Sequence, residues 1–477
     1  MIPQPTSNPT PAHTELETAY NTRYVWTISL VAALGGLLFG YDWVVIAGAK
    51  PFFERFFALV TDNQKGWANS CALVGCLLGA LVSGALSDRF GRKRLLILSA
   101  AIFVVSSIGT GLAGSFLSFV AWRITGGMAI GLASNLSPMY IAEVAPAHMR
   151  GKLVSINQLT IVIGILLAQI VNWLLAERTP DTATAEEILK SWNVQAGWRW
   201  MFAVTAIPSA FFLLGSLFVP ESPRWLVKNG RSDKARRTLS KIGGISHSVK
   251  ALGEIEATLV HETGKVDFRE LLDPRLRKIL WLGIFLAVFQ QWCGINVIFN
   301  YAEEIFRAAG YPNVKDILLN IVITGSVNLV FTFVAIAAVD RAGRRTLMLA
   351  GAAGLTAIYL LLGACFMAKS QGVHVVALVV SAIGCYGFSL APVTWVLISE
   401  IFPNRIRGAA MSVAVAALWI ACFILTFTFP SLYSKLGAAG TFWGYAGVCA
   451  AGFVILKLFL PETKGKTLEV LEKELSE

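Results

Sequence analysis

Twelve apolar runs, each close to the roughly 20 residues that cross a bilayer as helix, constrain this 477-residue chain more than any other feature. They lie near 25–49, 66–86, 95–114, 117–142, 153–175 and 200–219, then near 279–301, 317–339, 346–367, 375–399, 409–431 and 437–460. In hydrocarbon every backbone N–H and C=O needs an internal partner, which a helix supplies along its own length. The expected fold is therefore an all-α membrane protein of twelve transmembrane helices. Charged residues are only 14% of the chain, against about 25% in soluble proteins. Residues 1–22 are polar and rich in Pro and Thr, with no basic start or apolar core, and read as a short disordered tail rather than a signal peptide.

A net charge of +11 suggests nucleic acid until the basic residues are placed. Arg89, Arg92, Lys93 and Arg94 follow the second run, Arg150 and Lys152 the fourth, Arg341, Arg344 and Arg345 the eighth, and Arg405 and Arg407 the tenth. All fall on the side of the amino terminus, and the opposite connections carry few Lys or Arg. Both termini are thus expected in the cytoplasm, in a cell-membrane protein with the lipid bilayer rather than nucleic acid as its partner. The seven Cys all fall within apolar runs at no ligand-like spacing, which argues against disulfides and a metal site. There is no phosphate loop of the GxxxxGK type and no His in any run, so neither an enzyme nor a cofactor is expected.

The long polar stretch 221–277, with the helical pattern RSDKARRTLSKIGG, separates an amino-terminal six-helix bundle (23–220) from a carboxy-terminal one (278–460), which a short tail (461–477) follows. The halves share their punctuation. DRFGRK at Asp88 returns as DRAGRR at Asp340, EVAPAHMRG at Glu143 as EIFPNRIRG at Glu400, and PESPR at Pro220 as PETKG at Pro461. Three landmarks in the same order indicate an internal duplication, and parallel six-span repeats are a transporter architecture with the substrate near mid-membrane between the halves.

With PESPRW, GWRWMF, QQWCGIN and PETKGKTLE, these motifs resemble the major facilitator superfamily, and within it the sugar porter family, from about residue 25 to 470. The resemblance implies two pseudo-symmetric six-helix bundles with a cytoplasmic helical linker.

One carboxylate stands out. Asp42 lies in the apolar stretch LGGLLFGYDWVVIAGA, where an isolated charge costs several kcal/mol and needs a partner. The other ionisable residue deep in a predicted span is Arg123 in AWRITGG. Each is about seven residues from the same membrane surface, roughly 10 Å deep at 1.5 Å rise per residue. Protonating Asp42 would release Arg123, making the pair a proton-sensitive latch; the alternative is a static pair that fixes helix packing. Proton-coupled sugar porters carry an acid after FGY paired with an arginine of the fourth span, so the resemblance favours coupling.

A sugar is neutral and hydroxyl-rich, so its site needs amides, which both donate and accept, and an aromatic face. The runs offer Gln158, Gln290, Gln291, Asn296, Asn300 and Asn328, with Phe39, Trp395 and Trp419 as stacking surfaces. In one straight helix Gln290, Gln291 and Asn296 would point apart, so Gly294 is expected to break the seventh span and turn them together. The resemblance assigns sugar contacts to Gln158, Gln290, Gln291, Asn296, Asn328 and Trp395, and a gate to Asn300 and Tyr301. This sequence departs from its relatives at Asn300, a common tyrosine position, and at Leu418 and Cys422, where amides are frequent.

The charge motifs read either as anchors or as a cytoplasmic salt-bridge network of Asp88, Arg89, Arg92, Glu143 with Arg150, Asp340, Arg341, Arg344 and Glu400 with Arg407. The resemblance adds Glu221 and Glu462. The function expected is alternating-access symport of protons and a monosaccharide, hexose or pentose, by a monomer. A facilitative uniporter and a polyol transporter of the same family are the alternatives.

Overall fold

The computed structural model describes residues 20–180, 182–261, 273–402 and 407–463, and among these there is no strand. The first half comprises α1 (Thr22–Phe56), α2 (Asp62–Phe90), α3 (Arg92–Gly111), α4 (Phe116–Val144) and α5 (Ala147–Leu175). Its sixth span is built from α6 (Ala185–Lys190), one π turn, α7 (Trp198–Ala203) and α8 (Ala206–Phe218). Between the halves lie α9 (Pro223–Lys228) and α10 (Ser232–His261). The second half follows with α11 (Pro274–Trp292), α12 (Ile295–Asn300), α13 (Ala302–Ala308), α14 (Val314–Ala342), α15 (Arg344–Met367), α16 (Val373–Phe388), α17 (Leu390–Ile401) and α18 (Arg407–Phe459). At 53 residues α18 would be about 80 Å long, too much for one crossing. Gly437, at φ +65°, breaks it into two spans, which completes the twelve.

The first span is longer than its apolar run. α1 continues past Ala49 through Lys50 and Pro51 to Phe56, because buried Phe52 and Phe53 anchor the extra turns on the first-half core. Lys50 and Glu54 therefore belong to the helix rather than to a connection.

Small residues set how closely the spans approach. A Cβ on Gly75 or Gly79 of α2 would stand 2.0 and 2.3 Å from carbonyl oxygens of α4, and one on Gly127 or Gly131 of α4 would stand 1.9 and 2.2 Å from those of α2. Between α1 and α5 the same holds for Gly40 and Gly164, at 1.9 and 2.0 Å. Such seams replace the hydrophobic driving force that lipid does not provide. They bring α1 and α4, bearing Asp42 and Arg123, into one tightly packed group.

At the basic end of the bundle the duplicated motifs perform duplicated work. The Glu221 carboxylate accepts from the backbone N–H groups of Arg92 (2.8 Å) and Lys93 (3.0 Å), and Glu462 from those of Arg344 (2.9 Å) and Arg345 (3.2 Å). Each carboxylate thereby satisfies the free donors at a helix start, where negative charge is favoured. Gly91 (φ +93°) and Gly343 (φ +85°) make the turns before those starts, and a Cβ there would stand within 2.3 and 2.7 Å of the capping carboxylates.

Polar ties between the halves gather at the opposite end. Lys50 pairs with Glu304, Arg178 with Asp316 at 3.1 Å, and Ser434 donates to Asp62 at 2.6 Å. Asn313 donates to the Thr179 carbonyl at 2.9 Å, and Lys315 to the carbonyls of Trp173 and Ala176.

Candidate functional site

Asp42 and Arg123 meet. One guanidinium nitrogen of Arg123 donates to both carboxylate oxygens, at 2.8 and 2.9 Å, and the other reaches the Asp42 carbonyl at 3.4 Å. Both residues are buried, 6% and 3% exposed. Charge-assisted bonds of this kind are short and strong, and in apolar surroundings they are what makes either charge tolerable. Phe202 supports the guanidinium 5.2 Å from its ring centre and is itself packed on Phe119 and Trp198. A small cavity touches the pair and is lined also by Trp43, Asn69, Cys76 and Asn300. Asn300 brings the second half into the wall of the carboxylate's chamber.

The break in the seventh span is present. Gly294 adopts a left-handed conformation (φ +87°, ψ −7°) between α11 and α12. The turn lets Asn296 donate to the side-chain amide oxygen of Gln291 at 2.5 Å, with Cys422 of α18 3.8 Å away. Gln291 approaches Gln290 at 3.4 Å, and Gln290 reaches the Ala391 carbonyl of α17 at 3.4 Å. Asn328 on α14 is also buried, whereas Gln158 on α5 is half-buried. A Cβ at Gly294 would stand 2.8 Å from the Tyr445 ring, and the left-handed conformation costs a non-glycine residue about 1–2 kcal/mol. Gly294→Ala is accordingly expected to lower the melting temperature in detergent and to weaken sugar binding together; an unchanged melting curve would show that the break tolerates a side chain.

The aromatic residues cross between halves. The Phe39 and Trp419 rings lie 6.0 Å apart, and Trp43 sits 6.2 Å from Phe39 and 6.0 Å from Trp419. Trp395 stands apart, 36% exposed. Buried polar atoms without partners remain around this region, namely Trp419 Nε1 and the Asn300 side-chain oxygen. Tyr301 is fully occupied, its hydroxyl donating to the Thr426 carbonyl at 2.6 Å.

Sequence reasoning missed Trp43, hidden in an apolar run beside Asp42, and Gln169 on α5. Gln169 is 1% exposed, has both amide atoms unpartnered, and packs where a Cβ on Gly325 of α14 would be. An amide in the middle of an apolar run was the available signal for Gln169.

The charge network differs from the expected pairing. Glu143 pairs with Arg92 at 3.0 Å, not with Arg150, which is exposed beyond the Ala145–Pro146 turn. Arg92 also holds Asp88 at 3.1 Å, and Lys228 of α9 reaches Asp88 at 3.0 Å. In the second half Glu400 pairs with Arg344 at 3.3 Å and accepts from Thr463 at 2.6 Å. The physical reason is location: Arg92 and Arg344 begin the helices packed beside those carboxylates. Arg89 is exposed against the Phe90 ring. The side chains of Asp340, Arg341 and Arg407 lie outside the described residues. These pairs join helices of one half to one another or to α9 and do not bridge the two halves.

A duplicated twelve-span bundle, with an amide cluster in its second half, aromatic rings that meet across the two halves and a buried ion pair beside them, defines a membrane transporter for a small polar solute. Residues 28–475 match the family described as "Sugar (and other) transporter". The D-xylose-proton symporter of Escherichia coli (strain K12) is 40% identical, the alignment covering 96% of this chain and 97% of that one. The glucose transport protein of Synechocystis sp. is also 40% identical, over 96% and 99%. Among solved structures, the inward-open xylose transporter XylE from E. coli aligns with a TM-score of 0.82 at 37% identity, covering 94% of this chain and 99% of that one. The XylE proton:xylose symporter bound to 6-bromo-6-deoxy-D-glucose aligns at 0.77 and 39%, covering 96% and 100%. The chain belongs to this family of sugar transporters, within the major facilitator superfamily.

Proposed function

We propose that the chain is a proton-coupled monosaccharide symporter that works by alternating access, with the basic end in the cytoplasm. The observation that carries the coupling is the buried Asp42–Arg123 pair sharing a chamber with Asn300, an arrangement in which protonation and the position of the second half influence each other. Gln158, Gln290, Gln291, Asn296 and Asn328 hold the hydroxyls, and Phe39, Trp395 and Trp419 the apolar face of the ring. Asn300 and Tyr301 serve as the gate on the outer side. With the inter-half ties gathered at that outer end, the site opens to the cytoplasm, in keeping with the alignment to the inward-open relative. Residues 23–220 and 278–460 move as the two bundles, and the capping network around Glu221 and Glu462 keeps each rigid at its cytoplasmic end. The working unit is the monomer. D-xylose, arabinose and glucose appear in the names of relatives, which supports a pentose or hexose here.

Uptake of a labelled sugar panel into proteoliposomes, with and without an imposed pH gradient, tests the proposal. Accumulation of one sugar only under an inward proton gradient is expected. Equilibration without accumulation would favour a uniporter. Gln291→Ala and Asn296→Ala should each weaken binding of that sugar by about 1–3 kcal/mol, the cost of leaving a buried polar group unpaired. Calorimetric affinities unchanged in both variants would place the sugar elsewhere.

A further inference from the structure

Two lysines, Lys50 buried and Lys315 half-buried, stand where the halves close on each other, and each rests against an aromatic ring of the opposite half. Lys50, late in α1, is 3% exposed. Its ammonium lies 4.8 Å from the centre of the Tyr301 ring, pairs with Glu304 of α13, and stands 3.8 Å from Glu54 one turn further along α1. Lys315, in the first turn of α14, lies 5.2 Å from the centre of the Trp173 ring and donates to the carbonyls of Trp173 and Ala176 at the end of α5. A ring face attracts a cation, and so do the unpaired carbonyls that end a helix. One cation belongs to the first half and is held by the second; the other is the reverse.

Neither lysine belongs to the motifs that mark the family, and neither is among the partners of the Asp42–Arg123 pair or the amide cluster. Their contacts discriminate between conformations. A buried ammonium is tolerated while it is paired, and removing its partner leaves an uncompensated charge. When the halves separate at this end, water solvates the lysines and the groups that held them. The neighbouring Arg178–Asp316 pair, 67% and 41% exposed, is already solvated and discriminates little.

We propose that Lys50 and Lys315 form a reciprocal outer latch that sets how often this transporter exposes its site to the outside. The proposal rests on the alternating-access reading but not on proton coupling or on the identity of the sugar. Val60 and Leu436, 80% and 54% exposed, lie at the outer end of the first and second half and take spin labels after substitution by cysteine. The half-buried Cys365 and Cys385 are replaced by alanine in that background.

Electron-spin distances in lipid nanodiscs then read the ratio of wide to narrow outer separation. Lys50→Met and Glu304→Gln are expected to raise that ratio by about tenfold or more, Glu304→Gln the further because it leaves the buried ammonium only the more distant Glu54 carboxylate. Lys315→Met should raise it less, and Lys50→Arg, which keeps the charge, should leave it near the wild-type value. Unchanged ratios in Lys50→Met and Glu304→Gln would overturn the latch. Failure of both to fold would overturn it as well, because a contact that opens in every cycle cannot be a requirement of the fold. Sugar counterflow by the wild-type protein tests the transport reading separately, so the two failures are distinguishable.

Discussion

Asp42→Asn is expected to abolish accumulation of sugar against its gradient while leaving counterflow measurable. Asparagine keeps the shape of the side chain and an oxygen that accepts from Arg123, but it cannot take up or release a proton. The amide cluster around Gln291 and Asn296 is held by its own contacts across α11, α12 and α18, so sugar still binds and exchanges. Under an imposed proton gradient the internal-to-external concentration ratio should fall to about one. A variant that continued to concentrate sugar would remove Asp42 from the coupling step.

Arg123→Ala is expected to produce nearly the same loss from the other side of the pair. It leaves the carboxylate buried with no cation beside it, and a buried charge without a partner is avoided by keeping the proton. A carrier that cannot release its proton on the inside equilibrates sugar but does not drive it. The double variant Asp42→Asn with Arg123→Ala should be little worse than either single change, since each disables one and the same ion pair, and such non-additivity marks direct coupling. Uptake and counterflow in all four proteins, at matched expression, provide the measurement. Independent, additive losses would show that the 2.8 Å contact does not act as one unit.

Much of this architecture was legible because hydrocarbon leaves the backbone few options. Apolar runs became spans, the repeated Asp-Arg-x-Gly-Arg loops became matching glycine turns, and Gly294 became the break that unites Gln291 with Asn296. Asp42 and Arg123 could be paired because a buried charge demands a partner at its own depth, and few were available. Contacts decided by how separate spans pack were not legible. Nothing in EVAPAHMRG distinguishes Arg150 from Arg92 as the partner of Glu143, since that depends on where α3 begins beside α4. Lys50 followed by Pro51 reads as the end of a span. It is the burial of Phe52 and Phe53 that carries the helix onward and places the lysine against the other half. Trp43 was overlooked because a tryptophan in an apolar run looks like packing until Trp419, from the other half, is seen beside it.

Asn300 sits in the wall of the chamber that holds the Asp42 carboxylate, and its side-chain oxygen is buried without a partner. In the proposed mechanism the sugar gate and the proton carrier therefore share a surface. Substitutions on α12 that admit a new sugar also reshape the space around the carboxylate and alter how well it is shielded while empty. Laboratory evolution toward a different substrate through this wall will pass through leaky carriers, which let protons cross without cargo, and recovering tight stoichiometry will take compensating changes on α1 or α4 rather than further adjustment of the sugar contacts.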